Sequence, residues 1–105
     1  MSEWVKIGSA SEVGEGEVLS FSVGARQVAV ANVEGDLHGF DDWCSHQQCS
    51  LAEGDLDGAI VECPCHGSLF DVITGEAVQG PASDPIDVFE VREEDGELEV
   101  LMTQE

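Results

Sequence analysis

Two short stretches constrain this chain more than any other feature: Cys44-Ser45-His46, and Cys63-Pro64-Cys65-His66, with sixteen residues between them. Each offers one thiolate and one imidazole, too few to hold a metal alone. A fold that brings them tip to tip makes a four-ligand site of two sulfurs and two nitrogens. Cys49 and Cys65 add one further sulfur to each stretch. Whatever else the chain does, it must deliver these two loops to one place.

The rest of the sequence offers β-strands for that purpose. Residues 4–7 read as an opening strand, and Ser9 and Glu12 stand at capping-box spacing, which predicts a single helical turn. Leu19, Phe21 and Val23 alternate with Ser20 and Ser22, the pattern of a half-buried strand. Residues 27–33 return with Val28 and Val30 on one face, and residues 37–40 lead to the first loop after a turn at 34–36. Residues 59–62 lead into the second loop and 69–72 lead out of it, followed by a hairpin-type turn at Thr74-Gly75-Glu76. After Pro85, Ile86 and Val88 alternate with Asp87, and Leu98 and Val100 with Glu97 and Glu99, about a turn at 93–96. No segment carries a helical stripe of three turns. The expectation is one all-β domain spanning 1–105, a sandwich or barrel of short strands. Residues 1–40 and 82–105 form its base, and residues 41–81 form an inserted subdomain that carries both loops.

Charge narrows the partners. Twenty-three Asp and Glu face three Lys and Arg, a formal charge of −20. Such a surface repels phosphate, which argues against nucleic acid and anionic membrane; it suits simple solubility, or encounter with a basic docking face on another protein. Neither a signal peptide nor a stretch of ~20 apolar residues is present, so a soluble cytoplasmic chain is expected. In a reducing cytosol, cysteines beside histidines read first as metal ligands.

Two thiolates and two imidazoles suit a soft or borderline transition metal rather than calcium or magnesium. They fit one tetrahedral zinc, or a two-iron, two-sulfide cluster with cysteines on one iron and histidines on the other. Zinc sites usually pair like ligands within each half, whereas here each half is mixed. The spacing therefore favours the cluster and leaves zinc open.

The residues themselves go further. W-C-S-H-Q-Q-C, then C-P-C-H-G-S-L-F-D-V-I-T-G-E-A and G-P-A, resembles the Rieske iron–sulfur proteins over about residues 41–81, and more loosely in the flanking strands. The resemblance implies a [2Fe-2S] cluster with Cys44 and Cys63 on one iron and His46 and His66 on the other. It implies stacked antiparallel sheets with a small cluster-binding subdomain, and histidines at an exposed tip. Cys49 and Cys65 match the cysteines that form a loop-linking disulfide in the Rieske subunits of quinol-oxidising cytochrome complexes; many soluble ferredoxins of oxygenase systems lack both. Ser68 matches a serine that donates a hydrogen bond to a cluster sulfur in high-potential members. Phe70 stands where those members have a tyrosine, and Pro81 fits the loop covering the cluster's third side. His38 and Trp43 carry no ligand role in this reading, and Trp43 is at most a shield for the cluster.

Two ferric ions, two sulfides, two thiolates and two neutral imidazoles sum to zero charge, so this ligand set accepts an electron more readily than a four-cysteine one. Family potentials run from about −150 to +300 mV, against about −400 mV for plant-type ferredoxins. The missing tyrosine hydroxyl and the acidic surface place this chain toward the low end. With no mononuclear iron site, the implied function is not an enzyme's. It is a one-electron carrier between an NAD(P)H-dependent flavoprotein reductase and a terminal Rieske oxygenase of an aromatic-ring dioxygenase system, docking through the His46/His66 tip. The alternatives are a Rieske-like small subunit of an assimilatory nitrite reductase and a zinc-stabilised interaction module.

Overall fold

Short strands alternating with tight turns fold into stacked sheets, seen here in a computed structural model that describes residues 2–24, 26–43, 49–65, 67–80 and 84–103. The strands are β1 (Ser2–Ser9), β2 (Val18–Val23), β3 (Arg26–Val33), β4 (Asp36–Asp41), β5 (Asp55–Asp57), β6 (Ile60–Glu62), β7 (Leu69–Asp71), β8 (Ala77–Gln79), β9 (Val88–Phe89), β10 (Val91–Glu94) and β11 (Glu97–Thr103). They make three antiparallel sheets, ordered β1-β11-β10, β2-β3-β4-β9 and β5-β6-β7-β8. The all-β expectation holds, and the sequence between the two loops and just beyond them supplies a sheet of its own. No helix among the described residues is long and apolar enough to cross a membrane.

The middle sheet is covered on both faces, which differs from the alternation expected for residues 27–33. Val28, Ala29, Val30 and Ala31 are all fully buried. Val30 packs with Val13 and Leu98 toward the terminal sheet. Ala29 and Ala31 face the other way, in a core with Phe40, Val61, Phe70 and Val72. Alanines on that face let the third sheet come close. The middle sheet is thus the platform on which the loop-bearing sheet sits.

Smaller differences also have local causes. β10 runs through Glu93 and Glu94, so the turn to β11 is only Asp95-Gly96. β5 and β8 carry little strand signal in the sequence, because each has three residues and most of their side chains are exposed. The expected helical turn is a 3-10 turn at Ala10–Glu12, where the Ser9 N–H donates to Glu12 Oε1 at 3.0 Å.

Candidate metal centre

The first loop leaves the middle sheet at the end of β4, and a buried carboxylate closes its stem. Asp42 is fully buried. Its Oδ2 accepts from Ser50 Oγ at 2.7 Å and Gln27 Nε2 at 3.3 Å, and its Oδ1 accepts from the Ala52 N–H at 3.0 Å. The backbone repeats the tie: Leu51 N–H donates to the Asp42 carbonyl at 2.6 Å, and Trp43 and Ser50 form an antiparallel bridge. One side chain therefore joins β3, the outgoing strand and the returning chain, with both ends of the loop in its grasp. Leu51, fully buried in the shared core, anchors the return.

The second loop is the tip of the β6–β7 hairpin. Cys63 N–H donates to the Ser68 carbonyl at 2.8 Å, and Gly67 N–H donates to the Cys63 carbonyl at 3.0 Å. Gly67 sits at φ +75°, a conformation that L-residues with a Cβ adopt rarely. Cys63 is 2 % exposed and belongs to the core with Leu51 and Phe70. Ser68 and Phe70 are fully buried. At Gly54, just before β5 pairs with β6, a Cβ would overlap the Glu62 carbonyl. No other residue type fits there without backbone movement.

The F-D and T-G pairs of the sequence also acquire a physical role. Asp71 Oδ1 accepts from the Ile73 N–H at 2.8 Å and the Thr74 N–H at 3.3 Å, and Thr74 Oγ1 accepts from the Glu76 N–H at 3.2 Å. Ile86 N–H donates to the Gly75 carbonyl at 2.8 Å, which fastens the chain's return to the base.

A disulfide joins Cys49 to Cys65 with Cα atoms 6.4 Å apart, within the usual range for such bridges. The bridge ties the first loop directly to the second. The sulfurs of Cys49, Cys63 and Cys65 lie within 4.8 Å of one another. This triad is not a ligand set, because the two bridged sulfurs have no thiolate to give. Cys63 alone of the three is free and buried. A shielded cysteine thiol at the meeting of two cysteine-histidine loops suits an iron–sulfur group. Of the remaining predicted site residues, Cys44, His46, His66 and Pro81 lie outside the described residues. His38 is half-buried on β4, in a groove with Trp4, Leu37 and Phe89. Trp43 is 38 % exposed and borders a groove with Cys49, Pro64 and Cys65.

Charge is distributed unevenly around this arrangement. Each cationic side chain is matched to a carboxylate: Lys6 to Glu97 at 2.5 Å, Arg26 to Asp87 at 2.8 Å and Asp41 at 3.3 Å, and Arg92 to Glu99 at 2.7 Å. The hydrogen bond from Lys6 to Glu97 and the Glu97 charge raise the Lys6 pKa above the ordinary lysine value. Residues 42–81 contain no Lys or Arg, so the loop-bearing region is uniformly acidic. Asp42 and Gly54 shape the site, and the sequence alone singles out neither.

Comparison with known proteins agrees with this architecture. Residues 3–90 match the Rieske [2Fe-2S] domain. The chain belongs to that family. Ferredoxin CarAc of Metapseudomonas resinovorans is 40% identical over 98 residues, covering 92% of each chain. The Sphingomonas yanoikuyae B1 ferredoxin structure superimposes with a TM-score of 0.90 at 32% identity, covering 96% of this chain and 100% of that one. The ferredoxin in a complex of reduced oxygenase and oxidized ferredoxin of carbazole 1,9a-dioxygenase superimposes with a TM-score of 0.85 at 40% identity, covering 92% and 91%. This chain is a Rieske ferredoxin: it carries one [2Fe-2S] cluster and transfers electrons rather than catalysing a reaction on an organic substrate. The zinc alternative falls with that membership.

Proposed function

We propose that this chain is the mobile one-electron carrier of a cytoplasmic aromatic-ring-hydroxylating oxygenase system, between an NAD(P)H-dependent flavoprotein reductase and the terminal Rieske oxygenase. One observation carries the reading: a near end-to-end match to a ferredoxin whose structure was obtained in complex with its oxygenase.

Different residues serve different parts of this task. Cys44 and Cys63 would hold one iron through thiolates, and His46 and His66 would hold the other through imidazoles. When bound, the cluster supplies a site that takes up and gives back one electron. Cys63 is fixed by its burial and by the hairpin hydrogen bonds around it. Asp42 fixes the stem that carries Cys44 and His46, and the Cys49–Cys65 bridge fixes one loop against the other. Residues 41–81 act as the cluster-binding subdomain on a base formed by 1–40 and 82–105. Pro64 and Cys65 are exposed, which supports a docking tip at His46 and His66. Acidic side chains around that tip steer encounter with basic faces on both partners. Ser68, Phe70 and Pro81 are the residues proposed to tune the cluster: Ser68 would offer it a hydroxyl, and Phe70 would offer it none. These features favour a potential toward the low end of the Rieske range.

Stopped-flow reduction by such a reductase, followed by reoxidation with the oxygenase, tests this reading. Both electron transfers are expected, with rates that fall as ionic strength rises. A reduced chain that the oxygenase fails to reoxidise at low salt contradicts it.

A further inference from the structure

Three sulfurs lie within 4.8 Å of one another, and one of them takes no part in the bond between the other two. The free one is Cys63, an iron ligand in the function proposed above, and the coupling inferred from its position rests on that reading. A thiol beside a disulfide is the reacting pair of thiol–disulfide exchange. Closing from this separation to a bond of about 2.05 Å requires a shift of about 3 Å or less. Cys63 also lines a cleft with Gly54, Pro64 and Gly67.

We infer that the cluster and the bridge are coupled through Cys63. Released from metal, the Cys63 sulfur attacks Cys49 Sγ, forms a Cys49–Cys63 bond and expels the Cys65 sulfur. One S–S bond forms as one breaks, and the proton lost by Cys63 is regained at Cys65. The number of thiols is unchanged and no external oxidant is consumed. Attack falls on Cys49 because the leaving sulfur is then Cys65, which is exposed and solvated, whereas Cys49 is half-buried. The alternative product, Cys63–Cys65, closes a ring across the single residue Pro64, whose φ is fixed.

The consequence is a latch on the empty site. Cys63 in the new bridge cannot ligate iron, so a chain that loses its cluster stays closed to reloading until a thiol reductant reverses the exchange. With the cluster in place, Cys63 is occupied and the Cys49–Cys65 bridge persists.

The test starts from the cluster-loaded protein. EDTA removes the iron under flowing argon, which sweeps away sulfide, and N-ethylmaleimide quenches samples as the visible absorbance fades. Mass spectrometry then maps the bridges. The loaded protein should show Cys49–Cys65 alone. As colour is lost, the Cys49–Cys63 peptide should appear and the label should fall on Cys65 rather than on Cys63. Reloading with iron and limiting sulfide, two of each per chain, should need prior dithiothreitol, whereas the Cys49→Ser, Cys65→Ser double variant should reload without it. Persistence of Cys49–Cys65 with Cys63 labelled overturns the inference and leaves the electron-carrier reading standing. So does a new bridge to Cys44, or a colourless wild type that reloads without thiol. A purified protein that never carries iron overturns both.

Discussion

The middle sheet and the loop-bearing sheet share one core, yet they are held by different means. β2, β3 and β4 pair over six residues each, and the Val28 to Ala31 stretch is buried on both faces. Many similar contacts share the load. β5 to β8 have three residues apiece and pair over two or three. That region relies on individual devices: one buried carboxylate at Asp42, one close approach at Gly54, one turn cap at Asp71 and one disulfide. The base owes its shape to distributed apolar burial, whereas the site owes its shape to a few irreplaceable atoms. Single substitutions should therefore separate the site from the fold.

Cys63→Ser gives the sharpest separation. It should abolish the cluster's visible absorbance while far-UV circular dichroism keeps the β signature. Phe40→Ala attacks the other side of the comparison. Its fully buried ring should cost about 3–5 kcal/mol in chemical denaturation, with the cluster spectrum unchanged in the molecules that remain folded. Selective bleaching by Phe40→Ala would show that the two regions are not separable. Removing the bridge with Cys49→Ser and Cys65→Ser should cost about 2–4 kcal/mol and speed cluster loss to a chelator. Asp42→Ala leaves the Ser50 hydroxyl and Ala52 N–H without their acceptor. It should cost about 1–3 kcal/mol and shorten the cluster's lifetime, with Asp42→Asn intermediate.

The smallest effect lies in the terminal sheet, at the exposed Lys6–Glu97 pair. The raised Lys6 pKa means its contribution is fully present below the ordinary value of 10.5 and is lost as pH rises through the folded-state value. Lys6→Gln should leave the neutral-pH melting temperature nearly unchanged and flatten its decline on the alkaline side.

The same contrast decides how much of the molecule is legible in its sequence. The long strands announce themselves because a half-buried strand must alternate, as Leu19, Phe21 and Val23 do. The cysteine-histidine pattern stands out as a candidate ligand set because few residue types bind a soft metal. The Val-Ala-Val-Ala stretch of β3 reads as one buried face and is in fact two, since alanine carries no mark of the sheet that packs on it. Asp42 is hidden for a different reason: among twenty-three acidic residues, one that turns inward looks like the rest. Gly54 is equally silent, because the Glu62 carbonyl that forbids a side chain there comes near only in three dimensions. The pairing of Cys49 with Cys65 comes from the family resemblance, and the structure contains that bridge.

The most direct test of the central claim is a redox titration of the purified protein followed by electron paramagnetic resonance. The protein should be red-brown and titrate as a single one-electron couple toward the low end of the range of about −150 to +300 mV. On reduction it should give the signal of a half-reduced, histidine-ligated [2Fe-2S] cluster. A colourless protein loaded with zinc, silent throughout the titration, would contradict the account.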